Sequence, residues 1–120
     1  MEEVLQDLII KTLKFQCESQ KRNTWIDFAY GKVYVRKSFR LHNGEMLRCF
    51  DIATIELEDE FRGQGFFKLF IDRFHKTNRR ENIFFESVLN PKLYVYLTKF
   101  GFIPTGDKES LNLILLEYGK

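Results

Sequence analysis

The residues of this 120-residue chain whose types and spacing could do chemistry concentrate in one segment: Glu60, Phe61, Arg62, Gly63, Gln64, Gly65, Phe66 and Phe67. It lies between an apolar, strand-like run at 51–57 and a helix-like run at 66–76. A turn from strand into helix aims several unpaired backbone N–H groups at one place. The helix dipole adds partial positive charge there, so the turn is a natural cradle for a phosphate. Gly63 and Gly65 let the backbone approach an anion with no Cβ in the way, and Arg62 supplies a fixed charge beside it. Two glycines and an arginine alone make a weak motif, because many such turns contain Gly for steric reasons only.

Proton transfer needs a side chain of adjusted acidity. Glu86 sits among Phe84, Phe85 and Val88, where loss of water would raise the pKa of a carboxylate and suit it to act as a general base. The bland alternative is pairing with a basic neighbour or with backbone donors. Cys17, Cys49, His42 and His75 have no metal-ligand spacing, so no metal site is expected.

The elements that must position these groups follow from periodicity. Val4, Leu5, Leu8, Ile9, Thr12 and Leu13 recur at helical spacing over about 2–15. Strand-like runs at 25–30 and 32–36 break at Gly31. Asn43-Gly44 is the favoured pair for a tight hairpin turn, and the strand leaving it passes through Cys49, Ile52, Thr54 and Ile55 to Leu57. Phe66, Phe67, Phe70, Ile71 and Phe74 trace an apolar helical stripe. The run 82–88 reads as a short buried strand, Asn90 and Pro91 as the cap and first turn of a helix, and Gly101 as its end. A last strand over 111–118 pairs in hairpin fashion with 102–105. A strand–helix–strand crossover makes the strand ending at Leu57 and the strand at Ile83 parallel neighbours.

The loop and a second signature together resemble the GNAT superfamily of acyl-CoA-dependent N-acetyltransferases. Arg62, Gly65 and Phe67 fall on the superfamily's pyrophosphate-loop pattern, with Phe67 standing where Gly or Ala is usual. Residues 90–102, from Asn90 through Gly101-Phe102, resemble its Asn-led helix ending in Gly-Phe. The two span about the C-terminal half of the chain. Residues 86–90 also resemble a run in short, single-domain members from bacteriophages. The resemblance implies one α+β domain over 1–120, with a mixed, mostly antiparallel sheet containing one splayed parallel pair, flanked by helices. It is a compact version, without an obvious counterpart of the longer N-terminal half of many relatives.

By the same resemblance the activity is transfer of an acetyl group from acetyl-CoA to an amine in a ternary complex. Backbone groups at Leu57 and Glu58 would pair with the pantetheine arm, residues Arg62, Gly63, Gln64, Gly65, Phe66 and Phe67 would hold the pyrophosphate, and Asn90 would line the arm. Phe67 would either belong to the core alone or also border the cofactor. Asp51 falls where some relatives carry a Glu, and Glu86 resembles a Glu that others use as base. Many relatives place a Tyr seven residues after the Asn, a position that is Leu97 here. Tyr96, or Tyr94 on the same helix, is then the candidate general acid. Phe67, Leu97 and the short N-terminal part leave open a non-catalytic CoA-binding or protein-interaction module.

Composition bounds the partners. Net charge is +2, too near balance to imply nucleic acid. A third reading would nevertheless use Arg36, Lys37 and Arg40 with Arg79 and Arg80 as a nucleic-acid surface. Arg73, Lys76, Arg79 and Arg80 gather where cations oppose a negative helix end. The N-terminus lacks a signal-peptide pattern and no apolar run approaches the roughly 20 residues that span a bilayer. The chain reads as soluble and cytoplasmic (host cytoplasm if phage-encoded), monomer or homodimer, with a small-molecule or protein amine acceptor.

Overall fold

The computed structural model describes residues 1–78, 81–106 and 109–116. Helix α1 (Glu2–Glu18) leads into strands β1 (Asn23–Phe28), β2 (Gly31–His42) and β3 (Glu45–Leu57). A 3-10 turn (Asp59–Phe61) precedes helix α2 (Phe66–Thr77), strand β4 (Asn82–Phe85), helix α3 (Pro91–Phe100) and strands β5 (Ile103–Thr105) and β6 (Asn112–Leu115). The six strands form one sheet in the order β1-β2-β3-β4-β6-β5. Every pairing is antiparallel except β3 with β4.

Strand alternation sorts the side chains. Phe50 and Ile52 of β3, Ile83 and Phe85 of β4, and Leu113 and Leu115 of β6 enter the main core, with Leu5, Leu8, Phe70, Phe74 and Leu97 from the helices. The intervening residues Cys49, Phe84 and Ile114 form a second, smaller cluster on the opposite face, to which no described helix contributes. All three helices therefore pack on one side of the sheet. The expected α2 stripe is realised in its buried Phe66, Phe70, Ile71 and Phe74.

Local chemistry sets the ends of the elements. Asn43 and Gly44 have φ of 51° and 78°, the left-handed pair that a two-residue hairpin needs. Gly31, at φ 153°, is where β2 passes β3 so closely that a Cβ would lie 1.9 Å from the Glu56 carbonyl oxygen. Two strands are shorter than periodicity suggested. β4 ends at Phe85 because Ser87 turns left-handed at φ 51°, which extended backbone cannot accommodate. The last strand is described from Asn112 to Leu115, after a left-handed Leu111 at φ 54°, and its expected end at Tyr118 lies outside the described residues.

Candidate functional site

The parallel pair β3–β4 is short. Cys49 to Ile52 pair with Asn82 to Phe85, and there the ladder stops while β3 continues to Leu57. A β-bulge accompanies the fork: Tyr34 pairs with Thr54 and Val35 with Ile52, which leaves Ala53 unmatched on β3. A bulge bends its strand and increases local twist, so it turns β3 away from its neighbour. The chain after Phe85 is drawn to the other side. The Ser87 N–H donates to Asn112 Oδ1 (2.9 Å) and the Val88 N–H to the Leu111 carbonyl (3.0 Å). Between the two arms opens a cleft of about 720 Å³, lined by Ala53, Thr54 and Ile55 on one side and residues 85–90 on the other, within the range of small-molecule sites.

The glycine loop closes one end of this cleft, which Arg62, Gly63, Gly65, Phe66 and Phe67 line. Gly63 and Gly65 have φ of 75° and 77°, and a Cβ on either would meet nothing within 4 Å. Backbone conformation rather than crowding calls for glycine here. Aromatic packing holds the loop: Tyr30 stacks on Phe61 at 3.9 Å and meets Phe66 at 5.2 Å, and Phe28 stacks on Phe66 at 5.6 Å. The first turn of α2 receives no side-chain cap, so its leading N–H groups are available to an anion in the cleft. The N-terminus of α3, on the opposite arm, is closed instead by Asn90, whose Oδ1 accepts from the N–H of Lys92 (3.0 Å) and Leu93 (3.3 Å).

Within the loop the residues divide differently from expectation. Arg62 turns back on its own turn: Nε donates to the Leu57 carbonyl (2.9 Å) and Nη1 lies 3.4 Å from Asp59. It braces the loop and leaves its charge at the cleft edge. Gln64 does not line the cleft, and its amide donates to the Glu60 carbonyl (2.8 Å). Glu58 was expected to offer backbone groups to a ligand, yet its N–H is already donated to Tyr30 (2.9 Å). Leu57 lines the cleft with its carbonyl engaged by Arg62. The strand edge that β4 leaves unpaired begins earlier, at Ala53. Phe67 both packs and borders the cleft, meeting Phe85 edge to face at 5.9 Å. Asn90 lines the cleft while capping its helix.

The three acid–base candidates separate sharply. Asp51 is fully buried and accepts from Ser38 Oγ (2.6 Å) and Arg40 Nη2 (2.5 Å), with Arg36 Nε at 3.3 Å. Asp51 does not line the cleft, so it is placed to anchor the two arginines rather than to meet a substrate. Glu86 does line it. Its environment is not the apolar one expected: the side chain is 43% exposed and accepts from Arg36, with Arg40 at 3.9 Å. Phe84 and Phe85 point to opposite faces of the sheet, so only Phe84 shares the face of Glu86, and its ring is covered by the Arg40 guanidinium at 4.1 Å. Burial works against the Arg36 charge, but the hydrogen bond and charge of Glu86 and the charge of Asp51 outweigh it and raise its pKa above the ordinary value.

Tyr96 points elsewhere. Its hydroxyl donates to the Lys68 carbonyl (3.2 Å) and it is not a lining residue. Burial, then Asp72, pushes its pKa up, which makes it a poorer acid. Tyr94 packs against the main core, and Leu97 is completely buried there. Among the described residues no tyrosine lines the cleft.

Sequence reasoning missed the ion-pair network. Arg36, Ser38 and Arg40 stand at alternate positions of β2, and that spacing was the available signal that the three share one face. The network also engages residues considered for a nucleic-acid surface. Arg36 and Arg40 are paired with Asp51 and Glu86, and Lys37 donates to the Ser19 carbonyl (2.5 Å). Arg79 and Arg80 lie outside the described residues. Among the described residues no group of His, Cys, Asp and Glu could hold a metal ion, and no helix is long and apolar enough to cross a membrane.

No protein-family model matches the chain, and no curated protein matches it in sequence. Solved structures do match in fold. AtaT complexed with acetyl-methionyl-tRNAfMet superposes with a TM-score of 0.65 at 12% identity, over 95% of this chain and 82% of that one. The KacTA–DNA complex gives 0.64 at 17%, over 98% and 81%. The AtaT Y144F mutant toxin bound to the C-terminus of the antitoxin AtaR gives 0.60 at 15%, over 76% and 61%, so the matched part spans about three-fifths of that chain. With its forked parallel pair and glycine loop opening into α2, the chain has the GNAT fold.

Proposed function

We propose that this protein is an acyl-CoA-dependent N-acyltransferase that uses acetyl-CoA as donor. The observation that carries the reading is the convergence of two features on one cleft: the strand edge freed at Ala53, and the uncapped first turn of α2 behind Gly63 and Gly65. These residues fit the donor chemically. An open β edge can pair with the amides of an extended arm, and helix-start N–H groups suit a pyrophosphate. Arg62, Lys68 and Lys92 line the same cleft and add positive charge. The bound donor would supply an activated thioester. The chain would hold its arm along 53–55, orient its phosphates at 65–68 and keep water from the apolar side with Phe66, Phe67 and Phe85.

Glu86 is the carboxylate at the mouth of the cleft and the group we assign to receive or orient the acceptor amine. The acceptor itself is read as an amine on a small molecule or protein. Structural neighbours in complex with tRNA, DNA and an antitoxin peptide make a nucleic-acid acceptor the competing case. Against it stand the ion pairs that neutralise Arg36 and Arg40. A second reading, a GNAT-fold module that binds CoA without turnover, is favoured by one observation: among the described residues no tyrosine lines the cleft to protonate a departing thiolate.

Calorimetry with CoA on wild type and Gly65→Glu tests the cleft. The variant places a carboxylate at the start of α2 and should weaken CoA by roughly tenfold or more; equal affinity removes the loop from the site. A panel of polyamines, lysine peptides and aminoacyl-tRNA then separates the readings. Acetylated product from one class identifies the acceptor, whereas tight CoA binding with no product from any supports the non-catalytic module.

A further inference from the structure

The cluster of Arg36, Ser38, Arg40, Asp51 and Glu86 lies on the sheet face away from the helices, at the level where β3 and β4 part. Arg36 and Asp51 are direct cross-strand partners, and Glu86 is the first residue after β4 ends. The Arg36 guanidinium therefore crosses β3 from β2 to reach the far arm of the fork. One end, Nε, faces Asp51 at 3.3 Å, and the other donates to Glu86. Asp51 is completely buried, and the Arg36 side chain is 30% exposed. Arg40 holds Asp51 more closely, at 2.5 Å, but reaches Glu86 only at 3.9 Å, with its guanidinium 4.1 Å above the Phe84 ring.

We propose that Arg36 is the positioning residue of this site: anchored by buried Asp51, it fixes the Glu86 carboxylate, and with it the start of the 86–90 arm, at the fork. The planar guanidinium is suited to the task because it spans two carboxylates at once, hydrogen-bonded through Nη2 to Glu86 and ion-paired without a hydrogen bond through Nε to Asp51, a reach that a compact ammonium lacks. Glu86 begins a segment with little else to hold its side chain: the arm's described anchors are backbone bonds from Ser87 and Val88 and the Asn90 cap. Losing the bridge frees the carboxylate and loosens the adjacent amides, so the cleft must be reassembled on each binding event. The proposal rests on the reading of the cleft as a donor site, although its first test does not.

Hydrogen exchange on the ligand-free protein and CoA titration are compared for wild type, Arg36→Gln, Arg36→Lys, Glu86→Gln and the Arg36→Gln/Glu86→Gln double variant. Exchange at the Ser87 and Val88 amides should rise about three- to thirty-fold in each single variant, with the double variant no faster than the faster single one. CoA affinity should fall in the same non-additive pattern. Arg36→Lys should keep most of the thermal stability and leave exchange in 86–90 fast. Three results overturn the proposal: Arg36→Lys indistinguishable from wild type in exchange and affinity, additive losses in the double variant, or equal acceleration throughout β2, β3 and the arm. A wild-type protein that binds no CoA sinks the donor-site reading instead, while exchange in the free protein still decides the role of Arg36.

Discussion

Asn90 joins helix formation to the candidate site, and the geometry allows its two roles to be pulled apart. Pro91 has no N–H, the next two donors of α3 go to Asn90 Oδ1, and the N–H of Tyr94 goes to the Asn90 carbonyl. The cap therefore completes the hydrogen bonding of the first turn. Asn90→Ala leaves the Lys92 and Leu93 donors without a protein partner. Asn90 and Lys92 are exposed and Leu93 half-buried, so water takes over and the loss is that of an ordinary cap, about 1 kcal/mol. In a domain of this size that lowers Tm by roughly 3–6 °C. Asn90→Asp keeps an acceptor and adds favourable charge at the helix start, so its Tm should match or exceed wild type. The same carboxylate faces the cleft, where it repels an anionic ligand, and CoA affinity should fall about fivefold or more. Thermal melts and calorimetry on the two variants read these effects separately. An Asn90→Ala protein as stable as wild type would refute the cap accounting. Undiminished CoA binding by Asn90→Asp would reduce Asn90 to a cap alone.

Further expectations follow from burial and close approach. Gly31→Ala drives a Cβ to 1.9 Å from the Glu56 carbonyl oxygen; it should cost about 3 kcal/mol or more, seen as an early denaturation midpoint, and a wild-type midpoint would mean the strands separate easily there. Asp51→Asn removes the anion shared by Arg36 and Arg40. The penalty should be about 2–3 kcal/mol, below that of a wholly buried pair because both arginines are about 30% exposed, and an unchanged urea midpoint would show that Asp51 is dispensable. Burial, with Asp51 adding, pushes the Cys49 thiol up to about 12. Since the thiolate is the reactive form and becomes more abundant only as pH rises, a disulfide reagent at pH 8 should titrate exposed Cys17 in the native protein and both thiols after denaturation. Rapid native labelling of both would contradict this.

What the sequence alone determined was local in origin. Glycine and asparagine chemistry marked Gly31, the Asn43-Gly44 turn, the loop at Gly63 and Gly65, and the Asn90–Pro91 helix start, because each reports a backbone requirement of its own neighbourhood. Alternation and helical stripes located the elements, and the strand–helix–strand order required β3 and β4 to be parallel. Tertiary structure decided what these elements face. The bulge at Ala53 opens the fork, and no residue type announces it, because it arises from the register between β2 and β3. Glu86 looked apolar in its surroundings because Phe84 and Phe85 are its sequence neighbours, yet Phe85 points to the opposite face and Arg40 covers the Phe84 ring. Its real partner, Arg36, lies 50 residues away. Asp51 likewise changed from candidate base to anchor once the folded sheet placed Ser38, Arg36 and Arg40 around it. The role open to each carboxylate depends on partners brought within a few ångströms by the sheet, and sequence periodicity carries no information about that distance.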